Sequence, residues 1–172
     1  MEKNRPSRLR FNFGFFLEAP LGTSRQIELD YPTIEVTSDL TLTPLQGSFT
    51  AVRTSEGVYV SGDLTTLLPI TCMRCLEDAR VPANLRLDDL FYYPPTSAPA
   101  DEYVIGEDGF VDLAPLVREL ALLELPYLHF CREDCQGLCS HCGQNLNEAT
   151  CNCQEEVIDP RLAALRDLLD PD

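Results

Sequence analysis

Six of the chain's eight cysteines fall within twenty-three residues, from Cys131 to Cys153. Cysteines at that density have three chemical uses: a disulfide knot, a redox centre or a metal site. Cys139-Ser-His-Cys142-Gly143 has the form of a metal knuckle. Two residues between the thiols let both sulfurs face one ion, and the following glycine permits the positive φ that closes the turn. Cys151-x-Cys153 lies eight residues downstream, far enough for Asn145-Leu-Asn147 to bring the chain back and supply a second pair to a tetrahedral site. Four thiolates around Zn²⁺ is the most economical reading, because so short a segment lacks a core of its own and zinc needs no redox chemistry. An iron–sulfur cluster is also open on cysteine count alone. Cys131 and Cys135 raise the count to six, two more than one ion takes. The spacing therefore leaves open which four bind. His141, inside the spacer, and His129, ahead of it, are read as histidines that do not ligate, since thiolates are in surplus.

The remaining pair, Cys72-Met-Arg-Cys75, admits three readings: packed thiols at a hairpin, a half-site joined to Cys131 and Cys135, or a redox dithiol. A redox dithiol should open a helix after a strand of a parallel sheet. Here an alternating strand through Val81, Ala83, Leu85 and Leu87 follows, so a tight β-turn is the better placement. Glycine-rich phosphate loops, G-x-S-x-G and H-E-x-x-H are missing from the sequence, which leaves an enzyme reading little material.

Composition bounds the partners. In 172 residues with a net charge of −15, residues 1–100 carry 9 basic and 12 acidic side chains, and residues 101–172 carry 4 and 16, so net −3 and net −12 sum to the total. That balance argues against wrapping nucleic acid and favours a basic partner; a well-solvated surface is the plainer alternative. Lys3, Arg5, Arg8 and Arg10 form a short basic arm at the other end. No apolar run has the length of a membrane span and the first residues do not read as a leader, so the expected location is cytoplasmic, where thiols stay reduced and clustered cysteines bind metal more often than they pair.

The elements that must position these residues are mostly strands. Leu9, Phe11, Phe13 and Phe15 alternate with polar or small residues. Runs at 27–31, 33–36, 40–42, 48–52 and 57–60 are rich in β-formers and separated by turn residues, reading as an antiparallel meander with a tight turn at Thr54-Ser-Glu-Gly57. Three prolines between Tyr93 and Asp101 predict an exposed loop. Residues 102–111 predict a hairpin turning at Asp108-Gly109. Asp112 then caps a helix whose face is Leu113, Leu116, Val117, Leu120 and Leu123, closed by Pro126. A last helix is expected after Asp159-Pro160, with Leu162, Leu165, Leu168 and Leu169 on one face.

Thr71-Cys-Met-Arg-Cys-Leu76, Gly109-Phe-Val-Asp-Leu113, the Cys131–Asn147 stretch, Cys151-Asn-Cys153 and Asp159-Pro-Arg-Leu-Ala-Ala-Leu165 resemble, in that order, the YceD family of large-ribosomal-RNA-subunit accumulation proteins. The resemblance covers most of the chain beyond the first 60 or so residues. It implies a bacterial or plastid factor tied to accumulation of large-subunit ribosomal RNA, commonly encoded beside a small zinc-containing protein of the large subunit. It also implies that the central C-x-R-C, here Cys72, Arg74 and Cys75, is separable from the C-terminal cluster. That weakens a metal site shared by Cys72 and Cys75 with Cys131 and Cys135, and favours Cys139, Cys142, Cys151 and Cys153 as an independent zinc knuckle, with Cys135 as the substitute ligand.

The expectation is thus an α+β protein: an antiparallel β-rich body over residues 1–126, a curved sheet or partial barrel with a covering helix, and a zinc-stabilised appendage over residues 127–172. The expected function is non-enzymatic ribosome biogenesis, through a basic large-subunit ribosomal protein or a pre-ribosomal particle, with ribosomal RNA contacted indirectly and neither membrane nor small-molecule substrate involved. A direct RNA-binding zinc module is the alternative, and a thiol-redox enzyme using Cys72 and Cys75 a more distant one.

Overall fold

The structure, a computed structural model, describes residues 8–153. The terminal helix expected around Leu162 and Leu165, and the arm residues Lys3 and Arg5, lie outside the described residues. The architecture is mostly antiparallel sheet. Strands β1 (Arg10–Asn12), β2 (Ser24–Tyr31), β3 (Ile34–Thr37), β4 (Leu40–Leu42), β5 (Leu45–Arg53), β6 (Gly57–Thr71), β7 (Asp78–Tyr92) and β8 (Phe110–Asp112) are accompanied by helices α1 (Gly14–Glu18) and α2 (Ala114–Leu123). The main sheet has the order β2-β5-β6-β7, with every neighbouring pair antiparallel, while β3-β4 and β1-β8 form two-stranded ribbons.

Period-two alternation builds the core. Leu45, Phe49 and Ala51 of β5, Val58, Val60, Leu64, Thr66 and Leu68 of β6, and Leu85, Leu87 and Phe91 of β7 are buried, while the residues between them face outward or are half-buried. Each large side chain buried this way contributes about 1.5–3 kcal/mol. Asp89 follows the same alternation, lying opposite Val60 between Leu87 and Phe91. Burial raises its carboxyl above the usual range, and the nearby charges of Glu119, Asp88 and Glu102 add to that.

Helix α2 packs on β3 and β7. Asp112 Oδ1 accepts the Ala114 N–H at 2.9 Å, satisfying a backbone donor that the first helical turn would leave unpaired. Leu116, Val117 and Ala121 face the core, and Arg118 clasps Asp39 through Nε at 3.1 Å and Nη2 at 2.6 Å, tying the helix to the β3–β4 turn.

Three expectations are corrected. The alternation at Leu9–Phe15 does not continue as a strand. Asn12 Oδ1 accepts the Gly14 N–H at 2.9 Å and turns the chain into α1, where Phe13 and Phe16, three residues apart, meet edge-to-face with ring centroids 5.5 Å apart, and Phe15 is left 43% exposed. The body is not a simple meander, because the β3–β4 ribbon is inserted between the paired strands β2 and β5. A turn does form at Gly106–Gly109, but Phe110–Asp112 pairs with Arg10–Asn12 at the start of the chain rather than with residues 102–105.

The strands of the main sheet are unequal in reach. β5 ends its pairing with β6 at Leu45↔Thr66, whereas β6 and β7 stay paired out to Thr71↔Asp78. Residues 67–71 and 78–82 thus form a two-stranded arm beyond the rest of the sheet. Pro69 is tolerated in β6 because it lies where the strand has lost its neighbour on the β5 side. At the tip of this arm sits Cys72-Met-Arg-Cys75.

Candidate metal centres

The turn at the tip is built by local hydrogen bonds. The Cys72 N–H donates to the Glu77 carbonyl at 2.8 Å and the Leu76 N–H to the Cys72 carbonyl at 2.9 Å, with Leu76 at φ 60. Cys72 and Cys75 are buried, and what buries them is the segment after α2. Met73 N–H donates to the His129 carbonyl at 3.1 Å, and Leu138 N–H to the Arg74 carbonyl at 3.0 Å. Arg74 reaches back the other way. Its Nη1 donates to the carbonyls of Glu133 at 3.2 Å and Cys135 at 3.0 Å, and its guanidinium lies 4.2 Å from the centre of the Phe130 ring.

This docking brings Cys72, Cys75, Cys131 and Cys135 together, with all four sulfurs within 4.8 Å of one another. Cys72 Sγ and Cys135 Sγ are 3.8 Å apart, and Cys75 Sγ and Cys131 Sγ 3.7 Å. Burial pushes the Cys72 thiol up, but hydrogen bonds from the Cys75, Cys131 and Arg74 backbone outweigh it and bring the thiol down to about 6. Cys135 is likewise lowered against its burial, by the Asn147 side chain and the Gly137 backbone. Cys131 is pushed up to about 12 by burial and by the neighbouring sulfurs of Cys135, Cys75 and Cys72. One sulfur that ionises thus makes the next costlier, a conflict that a divalent cation resolves.

Cys139, Cys142, Cys151 and Cys153 form a second group within the same 4.8 Å limit. Here the knuckle folds as its spacing predicts. Cys139 N–H donates to the Gln144 carbonyl at 2.8 Å, Gly143 N–H returns to the Cys139 carbonyl at 2.9 Å, and Gly143 takes φ +72. The Leu138↔Asn145 bridge and the Leu146 N–H to Gly137 carbonyl bond, 2.9 Å, close the loop. The backbone of Cys142 and His141, with help from Cys151, brings the Cys139 thiol down to about 6, whereas Cys153 is pushed up to about 12, first by Cys142. Cys142 and Cys153 are exposed, unlike the sulfurs of the first group.

Each group can hold a metal ion. Cys135, expected as a substitute ligand of the knuckle, instead belongs with Cys72, Cys75 and Cys131. Gly137, at φ +73, turns the chain between the two groups, so that Cys135 and Cys139 serve different centres. Sequence reasoning places Asn147 only in a turn, not in contact with a sulfur. Its Oδ1 accepts from Gln136 N–H at 2.9 Å and Arg132 Nη2 at 2.8 Å, and its Nδ2 donates to Cys135 Sγ at 3.5 Å. No spacing rule marks such a residue, because its partners come from a different loop. His141 is exposed, and His129 Nδ1 pairs with the Pro126 carbonyl at 3.0 Å. Neither histidine belongs to a cysteine group.

The family model for the large ribosomal RNA subunit accumulation protein YceD matches residues 60–169, a stretch that takes in both cysteine groups. An uncharacterized protein of Mycobacterium leprae is 36% identical over 122 residues, which is 69% of this chain and 56% of that protein. YlbN of Bacillus subtilis is 36% identical over 115 residues, 66% of this chain and 64% of that protein. The chloroplastic YCED homolog 1 of Arabidopsis thaliana, also named for large ribosomal RNA subunit accumulation, is 24% identical over 156 residues, 73% of this chain and 49% of that protein. The chain thus spans about half to two thirds of the length of these relatives. No solved structure matches it. With the family pattern extending over more than half of its length, the chain belongs to the YceD family.

Proposed function

We propose that this protein is a non-enzymatic ribosome biogenesis factor of the cytoplasm. It supports accumulation of large-subunit ribosomal RNA by holding a basic protein of the large subunit on its acidic C-terminal half. Zinc in the Cys139, Cys142, Cys151, Cys153 knuckle shapes that half. Family membership supports the ribosomal role, and the observation that carries the partner reading is the placement of charge. Every carboxylate from Asp101 to Glu148 is exposed, and of these only Asp108, with Arg10, and Asp134, with Arg132, have ion-pair partners among the described residues. A field of that sign repels a phosphate backbone and steers a basic protein towards it. A knuckle with four thiolates around Zn²⁺ adds two more negative charges to the same surface. The non-enzymatic reading is supported by the burial of Cys72 and Cys75, since a reactive dithiol needs an accessible thiolate.

The experiment is a pull-down of the tagged full chain from growing cells, repeated after nuclease treatment. Expected is recovery of a basic large-subunit protein that survives the nuclease. Binding should weaken when Glu133, Asp134 and Glu148 are changed to their amides. Removal of Lys3, Arg5, Arg8 and Arg10 should weaken RNA recovery alone. Tight binding of the isolated chain to large-subunit RNA at physiological salt, with no ribosomal protein present, would falsify the assignment of roles.

A further inference from the structure

We propose that Cys72, Cys75, Cys131 and Cys135 form a second, buried zinc site, a clasp that fastens the cysteine-rich segment to the tip of the β6–β7 arm and holds its metal more firmly than the knuckle does. The proposal stands on the geometry of these four residues and is independent of the partner reading.

Distance is the first ground. Four sulfurs at about 2.3 Å from one ion define a tetrahedron whose edges are about 3.8 Å. The two cross-segment pairs, Cys72 with Cys135 and Cys75 with Cys131, stand at 3.8 and 3.7 Å. A disulfide would need about 2.05 Å, and all four cysteines are free.

The second ground is what these thiols are buried in. Cys72, Cys75 and Cys135 are 0%, 3% and 4% exposed, yet they form a cluster separate from the main core, with only Phe130 and Cys131 packed against it among the described residues. Residues 126–153 carry no helix or strand beyond the isolated bridge at Leu138. A segment with so little hydrocarbon to bury and no regular hydrogen-bonded element needs another source of folding free energy. Metal binding supplies it in small domains of this kind.

Third, the ligands have outer support. Asn147 Nδ2 faces Cys135 Sγ at 3.5 Å, and Asn147 is itself held by Arg132 and Gln136, the kind of outer contact that fixes metal ligands in place. On binding, each sulfur donates a lone pair as thiolate, any proton it still holds passing to solvent, so the filled site carries two negative charges. Soft thiolates in a tetrahedral set select Zn²⁺ over hard cations.

Burial sets the order of loss. Two ligands of the knuckle, Cys142 and Cys153, are exposed, whereas the clasp exposes none of its sulfurs fully. The sites are also sequential rather than interleaved, since Cys135 closes one and Cys139 opens the next. One can therefore empty without dismantling the other.

The test uses the full chain purified under reducing conditions with zinc present. Elemental analysis should find two zinc ions per chain. A chromogenic chelator should remove them in two phases, the slower one persisting in Cys142→Ser/Cys153→Ser and missing from Cys72→Ser/Cys75→Ser. Should the latter variant fail to fold, titration of the metal-free wild type with Co²⁺ decides. The thiolate-to-cobalt absorbance should rise to two equivalents, and saturation at one with the Cys142→Ser/Cys153→Ser chain silent overturns the clasp. So does a wild-type zinc content unchanged by loss of Cys72 and Cys75, or iron in place of zinc.

Discussion

Arg74 Nη1 lies 3.0 Å from the carbonyl oxygen of Cys135, a residue 61 positions further along the chain. The side chain between two cysteines of one hairpin thus holds the backbone that presents a third. Replacing Arg74 by Ala removes both carbonyl contacts and the stacking on Phe130, at an expected cost of about 1–3 kcal/mol to the docking of residues 130–138. Lys cannot reproduce the planar stacking and should recover less than half of the loss. Hydrogen exchange is the readout: protection should fall in residues 130–138 and remain unchanged in β5 and the sheet-side half of β6.

Gly137→Ala tests the junction between the two centres. The position has φ +73, and an added Cβ would come within 3.0 Å of the Arg74 carbonyl oxygen, which already accepts the Leu138 N–H. A loss of about 1–2 kcal/mol is expected. It should appear as earlier melting of the cysteine-rich segment, followed by intrinsic fluorescence of Tyr127 against a background of the other tyrosines changed to Phe.

Chelation should separate the molecule into parts. The β body has its own apolar core, so removing metal is expected to abolish exchange protection after Pro126 while the far-ultraviolet circular dichroism of the sheet persists. Loss of both together would contradict that independence. Phe49→Ala provides the contrast, because it should destabilise the sheet by about 3–5 kcal/mol whether or not metal is bound.

The sequence carried much of this arrangement. Strands β5 and β7 and the turn at Thr54-Ser-Glu-Gly57 follow from alternation and turn chemistry. Spacing marked the Cys139-x-x-Cys142 knuckle and offered Cys151 and Cys153 as its second pair, but with Cys131 and Cys135 close by it left open which four group together. The union of Cys72 and Cys75 with Cys131 and Cys135 was one of several open readings. No local pattern reports that the β6–β7 arm outreaches β5 and meets a segment some sixty residues later. The β1–β8 ribbon was hidden for the same reason, being a pairing of chain segments about a hundred residues apart. At Phe13 the failure was one of period, since Phe11, Phe13 and Phe15 alternate as in a strand while Phe13 and Phe16 fit a helical turn, and the Asn12 side chain decides for the turn.

Asp89 gives a pH prediction. Its folded carboxyl is raised by burial and by neighbouring acids, so the folded state binds its proton more readily than the unfolded chain. The stability it contributes is present in acid, below the unfolded value, and lost as pH rises through the raised folded value. Asp89→Asn should therefore raise the melting temperature at neutral pH, by a gain of under about 1 kcal/mol, and leave it unchanged near pH 3. An equal effect at both pH values would show that charge is not the cause.

The two-stranded arm works as a ruler with a parity. Each residue pair adds about 3.4 Å of reach and reverses the side on which the next side chain projects. Excising one pair, Ile70 with Ala79, would draw the tip in by about 3.4 Å and roll its thiols to the opposite side, away from Cys131 and Cys135. Excising two pairs, Pro69 with Arg80 as well, would shorten the reach by about 7 Å yet restore the facing. Natural variation in the length of this arm is therefore expected to come in steps of two residues per strand.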